Sequence, residues 1–152
     1  MDQKFGKGIM AGIAAGLIKN IPNAILHIFF PSLNKIAFWD YAGTIALGRL
    51  PKGPLEIFYA LFLETLFSTF LALIFIHSRF LNQSDHFKWK GIFYGAWIWF
   101  MVRAAVLGFD IKVLLNENLG NSVTNLLLSM LYGCLLVCAI KALDKKRVGS
   151  NQ

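Results

Sequence analysis

Residues 8–30 read GIMAGIAAGLIKNIPNAILHIFF, and this stretch decides the fold. As an α-helix it would extend about 34 Å at 1.5 Å per residue, enough to cross a hydrocarbon core of about 30 Å. Its first half is apolar, whereas its second half carries several polar residues, among them Lys19, Asn20 and His27. Such residues are costly in hydrocarbon. The stretch therefore predicts a transmembrane helix with a polar side that turns away from lipid.

One face of this predicted helix carries small residues along its first half and polar residues along its second. The members of this face are Gly8, Gly12, Gly16, Lys19, Asn23 and His27. They recur every three or four positions, which is the spacing of residues on one side of an α-helix. Small residues at this spacing let helices approach closely. We expect the glycines to pack within the bundle, with a dimer interface as the alternative.

The composition is that of a membrane protein. Hydrophobic residues make up 57% of the 152-residue chain, charged residues make up 15%, and the mean hydropathy is +0.58. These values lie outside the range typical of soluble domains. The net charge of +7 does not indicate nucleic-acid binding, because the basic residues lie at the ends of apolar runs. The chain is predicted to form a single integral membrane domain, residues 1–152.

The apolar stretches predict an all-α architecture with four transmembrane helices. The predicted spans are residues 8–30, 54–77, 89–109 and 121–141. Between the first two, residues 38–48 (FWDYAGTIALG) predict a short helix that lies at the interface or dips partly back into the membrane. Asp40 and Arg49 in this region are expected to form a surface ion pair. Residues 110–120 are predicted to be a loop, and 144–152 a frayed tail.

The distribution of basic residues predicts the orientation. With four spans, the N-terminus, the loop between the second and third spans and the C-terminal tail share one side. That side carries nine Lys and Arg residues against four on the other. Because cytoplasmic loops are rich in Lys and Arg, both termini are predicted to be cytoplasmic. The N-terminus has the pattern of a signal peptide, with Lys4 and Lys7 followed by an apolar run. No small-x-small cleavage site follows, so we expect no cleavage.

Three charged residues, Lys19, Glu64 and Arg103, fall well inside the predicted spans, away from their ends. By their distance from the helix ends, Lys19 and Glu64 lie near the midplane of a core about 30 Å thick, and Arg103 lies nearer the outer side. Each isolated charge would cost about 2.5–3.5 kcal/mol, so the three are expected to be paired, hydrated or both. Glu64 is expected to accept hydrogen bonds from Lys19, from Arg103, or from both.

Other residues of the spans extend this predicted intramembrane polar cluster. Its full membership is Lys19, Asn23, His27, Glu64, Arg103, Asn125 and Ser129. The predicted helix-packing residues are Gly8, Gly12, Gly16, Gly91, Gly95 and Gly133. Buried polar residues can fix which helices are neighbours, and ionisable residues in a membrane are also candidates for a functional site. Both interpretations apply to this cluster.

Two functions are compatible with this pattern. The first is a non-enzymatic structural or accessory membrane protein whose polar cluster specifies helix pairing or docks a partner. The second is a small dimeric transporter or channel that uses Lys19, Glu64 and Arg103 as its ion or substrate site.

The sequence contains no nucleotide-binding, hydrolase or zinc-protease motif. We therefore expect no enzymatic activity, no cofactor and no metal site. The expected surroundings are the lipid bilayer, with a homodimer or another membrane protein as the alternatives for a partner and no nucleic acid.

Three stretches carry a resemblance to a known group of proteins. They are KGIMAGIAAGLIKNIPNAILH (residues 7–27), FWDYAGTIALGR (residues 38–49) and PKGPLE (residues 51–56). This first half of the chain resembles a family of small, uncharacterised four-helix membrane proteins of spore-forming Bacillota. The resemblance implies a location in the bacterial cytoplasmic (inner) membrane, and no activity comes with it.

Overall fold

The structure, a computed structural model, describes residues 3–78 and 86–148. Within these ranges the chain forms α-helices and no strand. The helices are α1 (Gln3–Phe29), α2 (Phe38–Leu47), α3 (Gly53–His77), α4 (Phe87–Gly108), α5 (Lys112–Leu115) and α6 (Leu119–Val148). The predicted all-α fold is confirmed.

Four of these helices, α1, α3, α4 and α6, are long and apolar enough to cross a membrane. Their most apolar windows have mean hydropathies of 1.4, 2.0, 1.4 and 2.2. The chain is therefore a polytopic membrane protein, and the four predicted spans correspond to these helices. The short helix predicted between the first two spans is α2.

Two predicted irregular regions are partly helical. Residues 110–120 contain α5 and the start of α6, because the apolar run there folds back onto the bundle and buries Leu114 completely. The predicted frayed tail is helical as far as Val148, since residues 142–148 contain no helix breaker and Asp144 forms an ion pair with Lys7 of α1. Residues 149–152, and residues 79–85 of the predicted loop between the second and third spans, lie outside the described residues.

The long helices pack as two antiparallel pairs, α1 with α3 and α4 with α6, and α1 also contacts α6. Glycines set the separation within each pair. A Cβ atom at Gly12 would lie 2.6 Å from the Cα of Thr69 in α3, and a Cβ atom at Gly133 would overlap the carbonyl oxygen of Gly91. Gly8, Gly16 and Gly95 also lie close to the facing helix. The helix-packing glycines therefore act inside the bundle.

Residues 30–47, which we call the re-entrant segment, fold back between the long helices. Asn34 donates hydrogen bonds to the carbonyl oxygen of Asn23 at 3.0 Å and to its side-chain oxygen at 2.8 Å. Asn23 lies six residues before the end of α1, about 9 Å into the bundle. Asn34 and Ala37 are completely buried. The chain before α2 is therefore buried inside the bundle.

Candidate functional site

The first buried polar group is centred on Glu64 in the middle of α3. Its carboxylate forms an ion pair with Lys19 of α1, and both residues are only 4% exposed. Asn20 donates to Oε2 of Glu64 at 2.5 Å, and Ser68 donates to Oε1 at 2.8 Å. The predicted pairing of Glu64 with Lys19 is present, and further donors complete the coordination of the carboxylate. Such complete pairing is what makes a buried charge tolerable.

Aromatic rings cover the ammonium group of Lys19. Its Nζ atom lies 4.1 Å from the ring centre of Phe38 in α2 and 5.6 Å from that of Tyr132 in α6. Rings at this distance attract a cation through their quadrupole. The Tyr132 hydroxyl donates to the carbonyl oxygen of Ser68, which ties α6 to α3 at the same level. Elements α1, α2, α3 and α6 therefore meet around one ion pair.

The second buried polar group is centred on Glu117, which lies between α5 and α6. Arg103 of α4 places Nη1 3.2 Å from Oε2 of Glu117 and donates to the carbonyl oxygen of Leu114 at 2.8 Å. Arg103 is thus neutralised by Glu117 instead of Glu64. The reason is depth: Arg103 lies about 8 Å from the end of α4 at Gly108, whereas Glu64 lies about 16 Å from the start of α3.

Glu117 also connects the re-entrant segment to α6. Its Oε1 atom accepts from the Tyr41 hydroxyl at 2.5 Å, from Asn125 at 2.9 Å and from Asn121. Asn121 accepts from the backbone N–H of Ile36 at 2.7 Å, and Asn125 donates to the carbonyl oxygen of Ile36 at 3.1 Å. The irregular backbone before α2 therefore finds its hydrogen-bond partners in these side chains, as backbone buried in a membrane protein must.

Asn23 and His27 of α1 hold the first part of the re-entrant segment. His27 donates from Nδ1 to the carbonyl oxygen of Asn34 at 2.9 Å, and its ring packs edge-on against Trp39 at 5.4 Å. Asn23 donates weakly to Asn20 at 3.4 Å, which continues towards Glu64. These two predicted cluster residues are thus placed to hold the segment.

The start of α2 has its own buried carboxylate. Asp40 accepts from the backbone N–H of Ala37 at 2.8 Å and so caps the helix. Burial raises the pKa of the Asp40 carboxyl above its usual range, and the hydrogen bond from Ala37 offsets part of that rise. The predicted pair of Asp40 with Arg49 is absent, because Arg49 binds both oxygens of Glu56 at 2.7 Å instead.

A cavity of about 340 Å³ lies beside Glu64, and we call it the Glu64 cavity. Lys19, Glu64 and the buried hydroxyl residue Ser129 are among its lining residues. Its exposed lining residues are Ile45, Ala46 and Phe67, all apolar. The cavity therefore opens sideways, towards the surface that faces lipid chains. On the side away from α2, the gap between α3 and α4 is filled by aromatic side chains, since Phe75 packs against Tyr94 at 5.1 Å and against Phe87 at 5.6 Å.

The predicted cluster thus divides into two groups, and each contains residues outside the predicted set. The additional residues are Asn20, Asn34, Tyr41, Ser68, Glu117, Asn121 and Tyr132. Sequence signals existed for several of them, because Ser68 follows Glu64 by four residues and Asn121 precedes Asn125 by four. Glu117 precedes Asn121 and Asn125 at the same spacing of four, so it extends their polar stripe by one turn. Asn34 has no comparable signal, because it lies in irregular structure.

Because Arg103 pairs with Glu117, substitutions at these two residues should be energetically coupled. Arg103→Gln and Glu117→Gln should each destabilise the protein, and their double-mutant cycle should give a coupling of about 0.5–3 kcal/mol. Reversible unfolding in mixed micelles measures each free energy. The control cycle pairs Arg103→Gln with Glu64→Gln and should be additive within about 0.5 kcal/mol, because the two sites share no partner. Coupling in the control cycle and additivity in the first would contradict the observed pairing.

Comparison of the chain with protein families, curated proteins and solved structures found no match in any of the three.

Proposed function

We propose that this protein is a non-enzymatic structural or accessory protein of a bacterial cytoplasmic membrane, with both termini on the cytoplasmic side. The observation that carries the proposal is that both cations of the predicted intramembrane cluster have an acidic partner: Lys19 pairs with Glu64, and Arg103 pairs with Glu117. The excess of basic residues on one side supports the orientation. The resemblance of the first half of the chain supports the bacterial location.

In this proposal the buried polar groups position the helices and the re-entrant segment relative to one another. The Lys19–Glu64 pair joins α1 to α3, and the hydrogen bonds of Asn34 and Ile36 hold the re-entrant segment against α1 and α6. Interhelical hydrogen bonds in membranes contribute modestly, about 0.6 kcal/mol each on average. Their value is in specificity, since a helix placed at the wrong neighbour would leave charges unpaired in hydrocarbon. A partner membrane protein or a second copy would dock on the surface of this fixed bundle.

A second candidate is a small dimeric transporter or channel, and one observation favours it. The Glu64 cavity reaches both members of the Lys19–Glu64 pair, so a bound ion or substrate could contact them. Against this candidate, the exposed lining of the cavity is apolar and faces lipid instead of an aqueous end of the bundle. Arg103, which the sequence grouped with this site, belongs to the Glu117 group.

Flux measurements on reconstituted protein distinguish the two candidates. We expect vesicles containing the protein to dissipate a pH gradient at the same rate as vesicles containing Lys19→Met/Glu64→Gln, because the ion pair serves only the fold. A trapped pH-sensitive dye reports the rate, and the circular dichroism of both proteins shows that they are folded. Flux that depends on pH and is lost in the folded double variant would overturn the structural proposal and establish the transporter.

A further inference from the structure

We propose that the Glu64 cavity is a binding site for a neutral, membrane-soluble molecule that carries a carbonyl oxygen. This inference goes beyond the proposed structural role and does not depend on it. The volume of about 340 Å³ is at the lower end of the range of about 300–1,000 Å³ that small-molecule sites have. Such sites combine apolar walls with a few polar groups that orient the ligand.

The route into the cavity determines the solubility of the ligand. Ile45 and Phe67 at its mouth are 72% and 48% exposed, and both are apolar. Phe67 belongs to α3, one of the helices long and apolar enough to cross a membrane, and Ile45 belongs to α2, which packs against α3. A ligand that enters between them comes from the bilayer, so it must partition into hydrocarbon.

The polar lining residues Lys19 and Glu64 determine which polar group the ligand must carry. Both oxygens of the Glu64 carboxylate are occupied, by Lys19, Asn20 and Ser68. Lys19 has three N–H donors, and the hydrogen bond that the structure assigns to it, to Glu64, uses one of them. Lys19 is one of the lining residues of the cavity, and its ammonium group faces the ring of Phe38, another lining residue. Lys19 therefore offers a hydrogen-bond donor to a molecule in the cavity, and that molecule must carry an acceptor.

Charge balance selects a neutral acceptor. Lys19 and Glu64 neutralise each other, so an anionic ligand would bring an unpaired charge about 15 Å into the hydrocarbon, which is strongly unfavourable. A carbonyl oxygen accepts a hydrogen bond without carrying charge, and a hydrogen bond from an ionised donor is stronger than one from a neutral group. A neutral carbonyl compound therefore matches both the apolar lining of the cavity and the ammonium group of Lys19.

Two probes of matched shape test the proposal. The first is 2,3-dimethyl-1,4-naphthoquinone, which has two carbonyl groups and no unsubstituted carbon on its quinone ring to which the thiols of Cys134 and Cys138 would add. The second is 2,3-dimethylnaphthalene, the same fused rings without the carbonyls. Each is added to the protein in nanodiscs, and the thermal midpoint is followed, since a ligand that binds only the folded state raises it. We expect a saturable rise with the quinone, at an apparent Kd about tenfold or more below that of the hydrocarbon.

Two variants locate the binding. Ala42→Phe fills the cavity from α2 and should abolish the saturable rise, whereas Ala24→Phe, in a separate groove between α1 and α3 that shares no lining residue with the Glu64 cavity, should leave it unchanged. Lys19→Met/Glu64→Gln should bring the two Kd values to within about twofold. Equal affinity of the wild type for both probes would overturn the carbonyl assignment. No rise with either probe, as expected if lipid chains fill the cavity, or a rise that Ala42→Phe leaves intact, would overturn the site.

Discussion

Lys19→Met is expected to be the most destabilising single substitution of a polar residue in this protein. The substitution keeps the length of the side chain but leaves the carboxylate of Glu64 buried without its cation. Removing one member of a buried ion pair costs about 3–5 kcal/mol, because the remaining charge is desolvated and unpaired. Reversible unfolding in mixed micelles should therefore show a loss of about this size, or loss of folded protein in the membrane.

A double variant distinguishes two causes of the lost stability, the unpaired charge of Glu64 and the loss of packing around Lys19. Lys19→Met/Glu64→Gln removes both charges, and the amide introduced at position 64 can still bind Asn20 or Ser68, so most of the stability should return. Lys112→Met is the matched control, since Lys112 is an exposed lysine at the start of α5 and its loss should change the free energy of unfolding by less than about 0.5 kcal/mol. A Lys19→Met protein as stable as the Lys112→Met protein would show that the pair does not hold α1 against α3.

Gly133→Ala is expected to have the next largest effect. Alanine is the better helix former by about 1 kcal/mol, so an unobstructed site would be stabilised. Here the new Cβ atom would overlap the carbonyl oxygen of Gly91 in α4. Because the obstruction is backbone, no side-chain rotation relieves it, and α4 and α6 must move apart. Overpacking costs about 1–3 kcal/mol, and we expect the upper end of that range.

Gly108→Ala provides the comparison for this substitution. Gly108 is the last residue of α4, and a Cβ atom there would meet no atom within 4 Å. The same chemical change should therefore be neutral or slightly stabilising in the same unfolding measurement. Equal losses in the two variants would mean that close approach of α4 and α6 is not what Gly133 provides.

The number and type of elements could be predicted from the sequence because they depend on local composition. A run of about 20 apolar residues has few alternatives to a transmembrane helix, since hydrocarbon supplies no partner for its backbone groups. The face of α1 that carries Gly12 and Lys19 was likewise readable, because helical periodicity converts spacing into a common direction. Both residues are buried against α3, as that periodicity indicates.

The partners of the charges could be predicted only in part. Glu64 and Lys19 lie at matching depths in neighbouring antiparallel helices, and their pairing follows from counting residues along each helix. The partner of Arg103 did not follow, because Glu117 reaches it from a loop whose position depends on packing across the bundle. The buried position of Asn34 depends in the same way on the path of the re-entrant segment.

The sequence by itself determined that this chain is an all-α membrane protein with four long helices and a polar interior, because hydrophobic length and helical periodicity are properties of the chain alone. Only the tertiary structure decided that the polar interior forms two separate neutral groups, and that α2 lines a cavity beside Glu64. The reason is that charge pairing and cavity shape are set by distances between residues far apart in the chain, which neither spacing nor composition encodes.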